Sequence, residues 1–155
     1  MAAALHIYNH QTAAPVCMEW WQRIAELALP LCLEASKPPS AILADLEEIE
    51  ISLVTDEVIS RVHQDYMEDP TPTDVITFHH GEILISVETA ARQAAEHHSD
   101  YDTEVALYIV HGLLHLAGWH DGEANQRAEM HERQSAILQN CVSRAPLAEA
   151  ANSLL

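Results

Sequence analysis

The sequence predicts a single α+β domain, with a small mixed sheet of about four strands packed against about five helices. Three observations lead there. The chain has 155 residues, enough for one domain with a proper core. Short alternating apolar runs are interleaved with longer stretches of helical period. No internal repeat, low-complexity segment or interdomain linker breaks the order. Residues 1–144 are expected to form the domain, with 145–155 as a flexible C-terminal tail.

Element by element, Leu5 to Tyr8 alternates as a first strand. Pro15 suits a first helical turn, and Val16 to Ser36 reads as a helix with apolar positions at Trp20, Ile24, Leu27 and Leu31. Pro30 is expected to kink or split it. Lys37-Pro38-Pro39-Ser40 is a loop. Leu46 to Val54 carries Ile49, Ile51 and Leu53 in alternation, a strand with one buried face. Thr55-Asp56-Glu57 caps a helix running to about Tyr66, its acidic groups favourable at the positive helix end.

Asp69 to Asp74 is a rigid polar connection. Val75 to Phe78 and Glu82 to Ser86 form two strands joined by His79-His80-Gly81, a spacing that suits a hairpin. Glu88 to His98 is an alanine-rich helix. After Ser99-Asp100 a strongly apolar helix starts near Asp102. Glu123 to Asn140 forms the last helix, with Met130, Ile137 and Leu138 on its buried side.

The chemistry concentrates in His111-Gly112-Leu113-Leu114-His115-Leu116-Ala117-Gly118-Trp119-His120-Asp121. Residues four apart share one helix face, so His111 and His115 can reach a single ion. Val105, Leu107, Ile109, Val110, Leu113, Leu114 and Leu116 make this helix apolar almost all round, which implies burial. Two buried imidazoles without partners would cost a few kcal/mol, and one shared metal satisfies both. Gly118 can take the left-handed conformation that ends a helix, so the chain can fold back and offer His120 or Asp121 as a third ligand. Three such ligands with an open position make a catalytic zinc site.

Composition narrows the alternatives. Seven Lys and Arg against 24 Asp and Glu leave a net charge of −17, which opposes non-specific nucleic-acid binding while permitting a local positive patch around a divalent ion. Cys17, Cys32 and Cys141 lack a Cys-x-x-Cys pair and suggest reduced thiols and a cytoplasmic location. The first ten residues have neither a basic start nor a long apolar run, so no signal peptide is expected. The uncharged run Val105 to His120 is too short to span a membrane.

The metal segment, taken with Pro72-Thr73-Asp74-Val75-Ile76-Thr77-Phe78, resembles the YbeY family of bacterial metal-dependent endoribonucleases. That family shows Pro-Thr-Asp-Val-Leu-Ser-Phe, then a Gly-Asp-Ile strand matched here by Gly81-Glu82-Ile83, then His-Gly-x-Leu-His-Leu-x-Gly-Tyr-Asp-His. The order and spacing match from about Leu46 to Leu138. The resemblance implies a zinc-dependent hydrolase that cuts single-stranded RNA, matures ribosomal RNA at the 16S 3′ end, and serves ribosome quality control. It implies one Zn2+ per chain and association with the ribosome, with no membrane partner.

Three departures bear on the site. The closing Asp-His of the family is reversed to His120-Asp121, so Asp121 stands in register as the third ligand beside His111 and His115, with His120 as the alternative. A carboxylate ligates zinc readily but cancels one unit of positive charge. If His120 is not a ligand, it is a candidate for proton transfer. Met67 stands where the family has arginine near the cleft, so Arg61 and Arg92, together with Thr73, become the candidates for substrate binding. Glu82 replaces the usual Asp.

Bases of the RNA are expected to stack on Trp119 or Tyr66, although Trp119 also suits a core anchor. Two other functions compete. A ribosome-associated binding protein would hold a structural, closed zinc. A zincin-like metalloprotease shares the His-x-x-x-His-x-x-Gly spacing, but its general base follows the first histidine, where this chain has Gly112.

Overall fold

The computed structural model describes residues 3–67 and 73–147. Strand β1 (Ala4–Asn9) leads into helix α1 (Met18–Glu34), and a short 3-10 helix (Leu43–Asp45) precedes β2 (Glu48–Val54). Helix α2 (Asp56–Met67) is followed by β3 (Val75–Thr77) and β4 (Glu82–Ser86). Three helices complete the order: α3 (Val87–Glu96), α4 (Tyr101–Leu116) and α5 (Ala124–Arg144). The strands form one mixed sheet in the order β1-β2-β4-β3. The first three run parallel, and β3 closes the edge antiparallel to β4.

Alternation along the strands separates two apolar layers. Ile49, Ile51 and Leu53 of β2 and Ile83 and Ile85 of β4 face the main core with α1 and α4. Leu84 and Val54 point to the opposite face, where Ile59 of α2, Ile76 and Phe78 meet them. Helix α4 is the centre of the molecule: Ile109, Leu113 and Leu114 are fully buried. Burial of each such side chain contributes about 1.5–3 kcal/mol, and the packing fixes the helix that carries both imidazoles.

Pro30 does not split α1, which runs unbroken from Met18 to Glu34. It lies on the exposed side, where water can satisfy the Glu26 carbonyl that its missing N–H would have engaged. The helix also begins three residues after Pro15 rather than on it, because Asn9, Gln11 and Ala14 tie that segment into a hydrogen-bonded loop. The last helix extends four residues beyond Asn140, to Arg144. Ala145, at the expected start of the tail, is buried, and its carbonyl accepts a 2.7 Å hydrogen bond from Trp20 Nε1. Residues 148–155 of that tail lie outside the described residues, as do 68–72, which hold most of the polar connection and Pro72. The Met67 side chain is likewise outside them.

Candidate metal centre

Helix α4 places His111 and His115 one turn apart, with their Nε2 atoms 2.9 Å from each other. Both rings are held from behind. The Nδ1–H of His115 donates to the Trp119 carbonyl at 3.0 Å, and that of His111 donates to Gln134 Oε1 on α5 at 2.8 Å. With a proton on each Nδ1, each Nε2 carries a lone pair, and the two lone pairs face one another. Burial, and next to it the neighbouring His111, push the His115 imidazole below its ordinary pKa, which favours the neutral, ligating form.

Asp121 completes the group. Its Oδ2 is 3.5 Å from His111 Nε2 and 3.6 Å from His115 Nε2. Among the described residues, these three form the cluster able to hold a metal, with donor atoms all within 4.8 Å. Two facing lone pairs and a carboxylate are mutually repulsive unless a cation lies between them, so the donor set fits a divalent ion. His120 turns away: it is exposed, and its Nε2 lies 3.2 Å from Ser40 Oγ. Its imidazole is therefore not part of the cluster.

The turn that brings Asp121 back is built on Gly118, whose φ is +97°. The Gly118 N–H bonds the His115 carbonyl and the Trp119 N–H bonds the Leu114 carbonyl, the paired bonds of a left-handed helix end. The Lys37–Ile42 segment straps this turn through Lys37 N–H to the Ala117 carbonyl and Ile42 N–H to the Leu116 carbonyl, both 2.8 Å. Trp119 is a core anchor: it is 6% exposed and its Nε1 donates to the Ala35 carbonyl at 2.8 Å. The Lys37 ammonium lies 3.8 Å from its ring centroid and the Arg133 guanidinium carbon 5.5 Å, so cations crowd the little of the ring that is exposed. Tyr66 is the more open of the two exposed tyrosines among the described residues, 73% exposed and set edge-on to Phe78 at 5.4 Å.

Two cavities meet at His111. One, of about 510 Å3, is lined by Thr73, Asp74, Arg92, Glu104 and Tyr108 among others; the second, about 430 Å3, runs past Asp121, Arg127 and Met130. His131 and Gln134 line both. Thr73 thus reaches the cleft, and its hydroxyl also lies 3.4 Å from Asp74 Oδ1. Asp74 braces its own turn by accepting the Val75 N–H at 2.8 Å.

Arg92 also reaches the cleft, but it is held by Asp56, whose carboxylate also accepts from Ser86 Oγ at 2.6 Å and Thr89 Oγ1 at 2.8 Å. Burial opposes ionisation of Asp56, yet these donors outweigh it and hold the carboxyl below its usual pKa. Arg61 is exposed, pairs with Glu57 at 3.0 Å, and lines neither cavity beside His111.

Sequence reading missed Gln134, His131 and Arg127. All three lie near the buried stripe of α5 at helical spacing, since Arg127, Met130, His131 and Gln134 fall at i, i+3, i+4 and i+7. A polar residue at the Gln134 position, inside an apolar stripe, was the readable signal. Gln134→Leu should weaken metal affinity by about 10–100-fold, because the His111 ring loses the acceptor that sets its tautomer. Competition with a chelating dye would measure this, and an unchanged affinity would rule out the orienting role.

The class of protein that the fold and site define is a four-stranded mixed α+β domain with a His, His, Asp cluster able to hold a metal, beside two cavities. The family model described as Endoribonuclease YbeY matches residues 6–142, and the chain belongs to that family. It is 36% identical over 152 residues to an endoribonuclease YbeY of Heliobacterium modesticaldum, covering 83% of this chain and 88% of that protein. It is 34% identical over 137 residues to one from a Picosynechococcus species, covering 77% and 81%. In three dimensions it is similar to the solution structure of a Thermotoga maritima protein, with a TM-score of 0.61, 20% identity and 95% of each chain covered.

Proposed function

We propose that this chain is a zinc-dependent endoribonuclease that cuts single-stranded RNA. Its place is in ribosomal RNA maturation at the 16S 3′ end and in ribosome quality control, in the cytoplasm and in association with the ribosome. The observation that carries the reading is the His111, His115 and Asp121 cluster at the meeting point of two cavities, in a chain of the endoribonuclease YbeY family. No helix among the described residues is long and apolar enough to cross a membrane.

His111, His115 and Asp121 would hold the ion, and two imidazoles with one carboxylate suit zinc. A divalent ion bound there supplies Lewis-acid polarisation of a phosphoryl oxygen and activation of a water. The protein does the rest. Gln134 and the Trp119 carbonyl keep both Nε2 lone pairs directed into the cluster. Thr73 lines the approach on one side, where it can orient the RNA backbone, while Arg92 beside it is held by Asp56. Tyr66 offers the exposed ring on which an unpaired base can stack. His120, open to solvent and bonded to Ser40, lines neither cavity beside His111, so a proton it passes to the centre would travel through water.

The rival functions fit less well. A structural zinc is closed off, whereas the Asp121 side chain is 43% exposed. The zincin glutamate has no room, because even a Cβ on Gly112 would stand 2.8 Å from Ile83 Cγ2. Elemental analysis and a single-stranded RNA cleavage assay test the reading. The protein should carry about one zinc per chain, lose cleavage on chelation, and regain it when zinc is restored. Zinc-loaded, nuclease-free preparations that leave RNA intact would instead support the structural, ribosome-binding role.

A further inference from the structure

With seven Lys and Arg against 24 acidic residues, the chain has few cations to offer a polyanion. Two arginines flank the metal cluster. Arg92, in the first cavity, is neutralised by its ion pair with Asp56. Arg127, in the second, lines the wall beside His111 and Asp121. Its Nη1 donates to the Asp121 carbonyl at 3.3 Å and the Gly122 carbonyl at 3.2 Å. Both acceptors are neutral, and Arg127 forms no ion pair among the described residues. Among the described residues its Nη2 and Nε make no hydrogen bond, so those donors remain to be used.

We propose that Arg127 binds a backbone phosphate of the RNA beside the metal cluster. The inference deepens the nuclease reading and rests on it. A guanidinium anchored at one nitrogen has already lost much of its rotamer freedom, so its other edge presents donors to a phosphate at reduced entropic cost. The place of Arg127 on the first turns of α5 lies one helical turn before the face that carries Met130, His131 and Gln134, so the phosphate subsite and the ring support of His111 share one rigid element.

The test compares wild type, Arg127→Gln and Arg127→Lys, all zinc-loaded, on one single-stranded RNA oligonucleotide. Arg127→Gln should raise KM about tenfold with kcat little changed, as for loss of one charge-assisted contact. The slope of log kcat/KM against log salt should become shallower by about 0.7, the value of one single-strand phosphate contact. Metal content should be unchanged, and Arg127→Lys should restore the slope. If Arg127→Gln loses zinc and matches wild type once zinc is restored, Arg127 only holds the Asp121 loop and the proposal is overturned. An Arg127→Gln enzyme equal to a wild type that does cleave also overturns it. A zinc-loaded wild type without cleavage removes the nuclease reading itself, and this proposal falls with it.

Discussion

Replacing His115 by alanine should empty the metal centre and lower RNA cleavage by about a thousandfold. A metal ion contributes several kcal/mol to the stabilisation of developing charge, and each 1.36 kcal/mol is a factor of about ten in rate. His115 faces the cluster with Nδ1 on the Trp119 carbonyl and Nε2 toward both His111 and Asp121. Its pKa lies below the ordinary histidine value, so at neutral pH the ligand needs no deprotonation before it binds. Removing it leaves one imidazole and one carboxylate, too few donors for a tight zinc site. The fold should survive, because the side chain is 23% exposed and alanine is the best helix former. Metal analysis, cleavage rate and thermal melting of the metal-free forms separate these effects. Full cleavage by the zinc-depleted variant would end the assignment of this cluster to catalysis.

Gly118→Ala should cost stability and the site together. Alanine at a φ of +97° is strained by about 1–3 kcal/mol. Its Cβ would also stand 2.3 Å from the Lys37 carbonyl oxygen and 3.0 Å from the Ala41 nitrogen, both backbone atoms that cannot rotate aside. Relieving the clash adds about 1–3 kcal/mol, against a total of about 5–15 kcal/mol for a domain of this kind. For a chain of this size that lowers Tm by roughly 10 °C. The same displacement loosens the strap between the Lys37–Ile42 segment and the end of α4, and with it the return of Asp121, so metal affinity should fall as well. Calorimetry and metal titration on the variant check both parts. A melting curve that overlays the wild type would mean that the turn relaxes freely and the strap carries no strain.

Much of this architecture could be read from residue order alone. Alternation at Ile49, Ile51 and Leu53 gave β2 its buried face, and the Val75–Ser86 segment read as the hairpin that β3 and β4 form. Helical period put His111 and His115 on one face, and Gly118 marked the helix end. These features are local: each depends on backbone preferences and spacing within one or two turns.

Contacts across the chain decided the rest. Whether Asp121 or His120 joins the cluster turns on Ser40, 80 residues away, which engages His120, and on Arg127, which fixes the carbonyls at Asp121 and Gly122. Gln134 supports His111 across 23 positions, Asp56 claims Arg92 across 36, and Trp20 buries Ala145 across 125. Trp119 became a core anchor rather than a stacking surface once Ala35 and Lys37 closed over it. The sequence by itself therefore determined which helix bears the two facing histidines and where it stops, because period and turn chemistry are properties of neighbouring residues. Tertiary structure decided that Asp121 rather than His120 stands beside the two histidines, and that of the two arginines at the cavities Arg92 is ion-paired and Arg127 is not, because those outcomes depend on partners that only packing brings within hydrogen-bond reach.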